Sequence, residues 1–310
     1  MGSGSRGRKL VLKLGRKSRR YFNRLMVSSS DIGDPPVFPA SVFPWISKLE
    51  AEVPVIQSEL AGVMEQADSL PGVEEISPDH ARIARERRWR SFFLHAYGYR
   101  SGPACAVCPR TAALVDAIPD LETAFFSVLR PGAHLPRHRG VTKALVTCHL
   151  PLSVPSDAEK CWIEVEGQRH HWQVGGAFVF DDTRMHEVRN DSEESRVVLL
   201  IHVRRPLSFP GSLAGNTFMA AVKRSPFIKD GVRNQKAWER QFLIPRLERR
   251  SRLGRIAPAV EVGDGETGGD ARERVVVDHP SWEPPLEDAF HRRNEAGAAG
   301  AQYDVDGRRG

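Results

Sequence analysis

Apolar residues recur at helical spacing through "PWISKLEAEVPVIQSELAGVMEQADSL", where Ile46, Leu49, Val53, Ile56, Leu60, Val63 and Met64 fall on one stripe. Pro44 stands near its start, where proline is tolerated, and Pro54 divides the stretch into two predicted helices. From Arg88 the period shortens. "RWRSFFLHAYG" alternates and is aromatic, the mark of a half-buried strand, and "CPRTAALVDAIPD" reads as a short helix between prolines. Between Leu121 and Val203 follow "TAFFSVLRPG", "KALVTCHLPL", "KCWIEVEGQRHHWQVGG", "AFVFDD", "MHEVRN" and "SRVVLLIHVRRP", short apolar or alternating runs broken by turn residues. Strands at that spacing predict an antiparallel sandwich or jelly roll, with a hairpin tip around Gly167 and Gln168. Residues 211–247 return to a helical texture.

Both ends are different. Residues 1–24 carry nine Lys/Arg and no acid, so a net charge of +6 leaves about −3 for the rest of the chain. The sequence pI near 9.3 therefore describes a basic arm. Leu10, Val11, Leu12, Leu14, Tyr21, Phe22, Leu25 and Met26 interleave with its cations. That pattern suits either a membrane surface or a solvated tail. Lys13 interrupts its apolar run, which is too short for a bilayer span or a secretion signal. Residue 6 is Arg where myristoylation requires Ser or Thr. The expected location is cytoplasmic, with peripheral contact at the inner face of the membrane on the first of those two readings. Residues 27–45, rich in Ser, Asp and Pro, read as an extended linker. The expected organisation is an arm and linker over 1–36, one domain over 37–247 with its β-core at about 88–206, and a Gly-rich charged tail over 248–310 too polar to order itself. With 310 residues at 40% hydrophobic content, one sizeable core is affordable.

Chemistry concentrates in the strand region. His138, His149 and His186 stand in strand-like runs, and neutral imidazole suits iron, copper, zinc and nickel. Two strand-end histidines, His138 and His186, can face each other across one barrel mouth. The plain alternative for each is a hydrogen-bonded core histidine. His170 and His171 are adjacent, so a strand would point them to opposite sides. His134 and His202 read as structural. Cys105 and Cys108 form "CAVC" with no second such pair, and four cysteines make no disulfide framework, so these too read as structural.

The strings "LRPGAHLPRHRG", "CHLPLSVP", "CWIEVEGQRHHW", "GGAFVFDDTRMHEVRN" and "SRVVLLIHVRRPL", in that order, resemble the aspartyl/asparaginyl β-hydroxylase family. The upstream pieces "VFPASVFPWISKLEAE" and "RWRSFFLHAYG", and "KRSPFIKDGVRNQKAWE" downstream, are similar to its bacterial members, which include lipid-acyl hydroxylases. The resemblance implies a mainly β chain with flanking helices, folded as a double-stranded β-helix, a cupin-like jelly roll. It implies an Fe(II)- and 2-oxoglutarate-dependent dioxygenase that uses O2 to hydroxylate an unactivated C–H bond. Carried over by position, His138 and His186 would bind iron, Arg196 would pair with the far carboxylate of 2-oxoglutarate, and His149 would help hold it. Asp181 and Asp182 would support the turn that carries His186, with Asp182 as a less favoured stand-in ligand.

Two departures bear on the substrate. Gly140 stands where many 2-oxoglutarate dioxygenases have a ligating aspartate, which favours the peptide-hydroxylase branch over the lipid one. Thr147 stands where the family usually has an arginine that meets an acidic substrate, which opposes a peptidyl aspartate unless Lys143 or Arg137 compensates. A peptidyl Asp or Asn, a lipid acyl chain and a small metabolite all remain open as acceptors. The competing reading is a non-catalytic cupin-like binding module. No basic surface interleaved with aromatics occurs in the body, so no nucleic-acid partner is expected.

Overall fold

In the computed structural model, residues 19–84 and 86–254 are described. The strand signals resolve into two antiparallel sheets. The larger runs in the order β1 (Val37–Phe38), β9 (Phe178–Phe180), β6 (Leu145–Ser153), β11 (Arg196–Arg204), β4 (Leu121–Leu129), β2 (Trp89–Ala96), β3 (Tyr99–Arg100). The smaller runs β5 (Ala133–His138), β10 (His186–Asn190), β7 (Cys161–Val165), β8 (Gln168–His170). From β4 to β11 the chain passes back and forth between the sheets and closes a jelly roll.

The two sheets differ in sequence texture for a physical reason. β4, β6 and β11 are covered on both faces and are buried almost throughout. Their inner face packs Phe125, Leu129, Val198 and Leu200 against Leu135, Ile163 and Val188 of the small sheet. Their outer face packs Phe126, Val146, Leu150 and Ile201 against the helices. β10, by contrast, alternates between buried and partly exposed positions, because the back of the small sheet faces solvent.

The covering helices include α1 (residues 19–28), α2 (Trp45–Ala51), α3 (Val53–Met64), α4 (Val73–Ile76), α5 (Gly102–Val107) and α6 (Pro109–Asp116). After the barrel come α7 (Gly211–Arg224), α8 (Pro226–Trp238) and α9 (Ile244–Gly254). The break at Pro54 falls where expected: Pro54 occupies the first turn of α3. α8 is tied to α4 by Asn234 Nδ2, which donates to the carbonyls of Glu75 and Ile76 at 3.2 and 3.1 Å. Among the described residues no helix is long and apolar enough to cross a membrane.

Three expectations change. The supposed linker at 27–45 is held against the barrel: Ser30 bridges Leu207, β1 pairs with β9, and Asp34 accepts hydrogen bonds from Lys143 and Arg184. Packing therefore begins well before residue 37, with Met26 fully buried. The β7–β8 tip is Glu166–Gly167 rather than Gly167–Gln168, since Val165 pairs with Gln168 and both tip residues have positive φ, as a two-residue type I′ turn requires. Helix α9 runs on to Gly254, past the expected boundary at 247. The expectations for residues 1–18 and 255–310 lie outside the described residues. Cys105, Cys108, Cys148 and Cys161 are all free and buried, and burial pushes the Cys108 thiol strongly up.

Candidate active site

His138 closes β5 and His186 opens β10, and the antiparallel register makes them direct partners. Their ring centroids lie 4.1 Å apart. Each Nδ1 is 2.8–3.0 Å from a backbone oxygen two residues earlier, Pro136 for His138 and Arg184 for His186. An Nδ1–H donated to a carbonyl fixes the tautomer and leaves Nε2 with its lone pair. Burial, with the other imidazole adding to it, brings His186 down to about 4, against the opposing bonds to the Arg184 and Asp182 backbone. Burial lowers His138 as well. Both rings are therefore neutral at neutral pH, the form a metal needs. Among the described residues no group of three or more His, Cys, Asp or Glu gathers to hold a metal. The pair stands as a pair.

Gly140 explains its own lack of a side chain. A Cβ there would clash with the Asp182 carboxyl, and the Gly140 N–H donates to the Asp182 carbonyl at 2.7 Å. The carboxyl of Asp182 thus fills the space that a side chain at 140 would take. Burial and the neighbouring Asp181 charge push the Asp182 carboxyl up to about 7, against Arg205 and Lys143. The adjacent acid behaves oppositely. Burial tends to raise Asp181, but the Arg205 charge and hydrogen bonds from Lys143 and Thr183 outweigh it and hold it below the usual carboxylate range. Asp181 braces the turn before His186, accepting from the Thr183 amide and hydroxyl at 2.9 and 2.6 Å. Asp182 does not share that bracing through its side chain; it faces the cavity. Lys143 is spent on Asp34 and Asp181, and Arg137 on Glu164, so neither offers the compensating cation considered above.

Arg196 opens β11 and is 2% exposed. Its Nε and Nη1 have no hydrogen-bond partner, and its Cζ lies 4.6 Å over the Trp172 ring. Burial lowers its pKa to about 10, so it remains a cation. A buried, charged fork with unmet donors is costly unless an anion meets it, and a carboxylate has the matching plane. Trp172 Nε1 also donates to His149 Nδ1 at 3.3 Å. Burial, then the Arg196 charge, holds His149 well below its ordinary value. Trp172 joins the two residues that sequence reasoning had paired only by family likeness. A lone tryptophan near a hairpin reads as core, so no pattern marked it out.

All four predicted residues, His138, His149, His186 and Arg196, line one cavity of about 760 Å³. Much of its wall is apolar: Phe125 and Leu200 from the barrel, Phe218 and Val222 from α7, Phe227 from the start of α8, Ile76 from α4.

Residues 50–206 match the model of a family described as aspartyl/asparaginyl beta-hydroxylase. The chain belongs to that family. An ornithine lipid ester-linked acyl 2-hydroxylase of Rhizobium tropici is 39% identical over 218 residues, covering 70% of this chain and 78% of that protein. The aspartyl/asparaginyl beta-hydroxylase of Homo sapiens is 28% identical over 166 residues, 52% of this chain but only 21% of that protein. Among solved structures, the Schizosaccharomyces pombe Cnp3 cupin domain aligns at TM-score 0.26 and 13% identity over 40% of this chain and 75% of its own. That likeness adds nothing to the topology already described.

In this family member four further histidines weighed in the sequence sort plainly. His134 meets Glu187 at 2.7 Å on the surface, and His171 Nδ1 lies 2.9 Å from the Ala158 carbonyl. His170 lies against Phe178. His202, expected to be structural, instead opens into the cavity. An alternating strand signal fixes only the face, and the inner face of this barrel is partly core and partly cavity wall.

Proposed function

We propose that this β-hydroxylase-family protein is an Fe(II)- and 2-oxoglutarate-dependent hydroxylase acting on an acyl chain of a membrane lipid. The supporting observation is the cavity's asymmetry: two neutral imidazoles and an unpaired buried guanidinium at one part of it, and a largely apolar wall of α4, α7 and α8 residues at another. The donor set fits the metal. Two imidazoles with backbone-anchored Nδ1 atoms would present Nε2 to iron, leaving positions for oxygen donors of a keto acid. When bound, iron(II) with 2-oxoglutarate and O2 supplies the oxidising power for C–H hydroxylation, with succinate and CO2 as co-products.

The protein's own part is binding, orientation and exclusion of water. Arg196 docks the far carboxylate of the keto acid through its unpaired donors, and Trp172 holds the guanidinium plane from one side. His149, kept neutral, supplies a further polar contact at the same end. Asp182, near its midpoint at neutral pH, can hold or release a proton beside Gly140 and the histidine pair. The apolar walls from α4, α7 and α8 seat a chain and keep out bulk water. A peptidyl carboxylate is less well served, because Thr147 is neutral and Lys143 is already paired.

The test has two arms. Anaerobic protein with Fe(II) and 2-oxoglutarate should develop a weak visible absorption band that His186→Ala abolishes; no band in the wild type would return the chain to a binding module. With O2 and a bacterial polar lipid extract, mass spectrometry should find acyl chains heavier by one oxygen together with succinate. Oxygen incorporation into peptides alone would overturn the lipid assignment.

A further inference from the structure

The inner face of the large sheet carries a second polar feature that the metal and keto acid do not use. Thr147 on β6, His202 on β11 and Thr123 on β4 are register partners in adjacent strands and so form one row across the sheet. All three line the cavity. Thr147 is 2% exposed and its hydroxyl has no hydrogen-bond partner, nor does His202 Nδ1; Thr123, 3% exposed, has only the Tyr97 hydroxyl beside its own. Two neighbouring polar groups without partners, with a third met only by a phenol, are expensive in a largely apolar wall unless a ligand completes them.

The row stands close to the histidine pair. Thr147 is the register partner of Phe180, whose ring lies 5.4 Å from that of His186. It lies one same-face step from His149 toward the other end of β6. Its chemistry is neutral. The nearby cations Lys143, Arg204 and Arg205 are bound to Asp181, Glu122 and Asp181 respectively; of the three arginines that line the cavity, Arg196 lies over Trp172 at the keto-acid end, and Arg82 and Arg139 are exposed, Arg82 bearing on His138 and not on the row. Hydroxyls and a neutral imidazole without a cation suit an uncharged carbonyl far better than a carboxylate.

We infer that Thr147, His202 and Thr123 dock the ester or amide carbonyl of the acyl substrate and thereby place the carbons next to that carbonyl before the histidine pair. This rests on the acyl-lipid function proposed above, and it assigns positioning, not bond-breaking, to the row. The chain beyond the carbonyl would then lie along the apolar walls.

The experiment separates the row from the parent proposal. Calorimetric binding of methyl decanoate is compared with decyl methyl ether, which lacks the carbonyl, on wild type and on Thr123→Val/Thr147→Val and His202→Phe proteins loaded with Mn(II) and 2-oxoglutarate. The wild type should prefer the ester by roughly tenfold, and the variants should lose that preference while still binding the ether. Equal affinity for ester and ether in the wild type overturns the row, whether or not lipid is turned over. On lipid substrate, fragmentation of the product should show hydroxyl scattered along the chain in the double variant. The same carbon hydroxylated with unchanged KM would also overturn it. A wild type that prefers the ester yet hydroxylates no lipid would sink the acyl-lipid function and leave the row as a carbonyl site.

Discussion

Arg196 and Gly140 show how much a single residue's surroundings decide. Arg196, singled out in the sequence by family likeness alone, is buried over Trp172 with two donor nitrogens unmet. Arg196→Lys keeps the charge but loses the planar fork. It should raise the apparent KM for 2-oxoglutarate by roughly ten- to a hundredfold while metal affinity stays within a few-fold. An unchanged KM in initial-rate kinetics would remove the guanidinium from the keto-acid site. Gly140 matters for space, not for backbone freedom, since a Cβ there would meet the Asp182 carboxyl. Gly140→Ala should cost about 1–3 kcal/mol in urea unfolding and should displace Asp182. A variant as stable as the wild type would mean that Asp182 moves aside freely.

At the scale of elements, the strands divide by the number of covered faces. β11 reads as a continuous apolar run because helices cover its outer face and the small sheet its inner one. Ile201, fully buried on the outer face, is core: Ile201→Ala should cost about 2–5 kcal/mol and leave keto-acid binding intact. The partners of the inner face could not be read from the chain. Leu200 and His202 share that face, and only the arrival of α7 and α8 over one end makes a cavity there instead of core. Val222 on α7 lines that cavity. Val222→Trp should shorten the acyl chains accepted, seen as a shift in product chain length by mass spectrometry. An unaltered distribution would place the chain elsewhere.

For the whole molecule, the buried titratable groups give opposed pH dependences. His186 and His202, near 4 when folded against 6.5 ordinarily, remain neutral after the unfolded chain has taken up protons, so each subtracts stability as pH falls from about 6.5 toward 4. Asp182 works the other way. Its carboxyl, near 7 when folded against 3.8, contributes stability that is fully present below pH 3.8 and is lost as pH rises through 7. Asp182→Asn should therefore stabilise metal-free protein at pH 8 and leave it nearly unchanged at pH 4, by urea unfolding. Parallel curves for the two proteins would deny the buried carboxyl. The basic arm makes a separate case: removing residues 1–18 takes away six of the nine N-terminal cations and should abolish retention on vesicles rich in anionic lipid. Retention by the truncated protein would move membrane contact to the folded body.

What the amino-acid order determined by itself was whatever depends on local period and residue type. The helices either side of Pro54, the short antiparallel strands, and imidazoles at strand ends all follow from spacing and side-chain chemistry. Family likeness then singled out Arg196 and His149 beside them. Tertiary structure decided what depends on approach between distant segments: Asp182 filling the place beside Gly140, Trp172 joining Arg196 to His149, Asp34 pinning a stretch that looked like linker, and His202 facing a cavity. A side chain's period gives its direction, but its energy and pKa depend on which atoms meet it there, and those come from strands and helices far away in the chain.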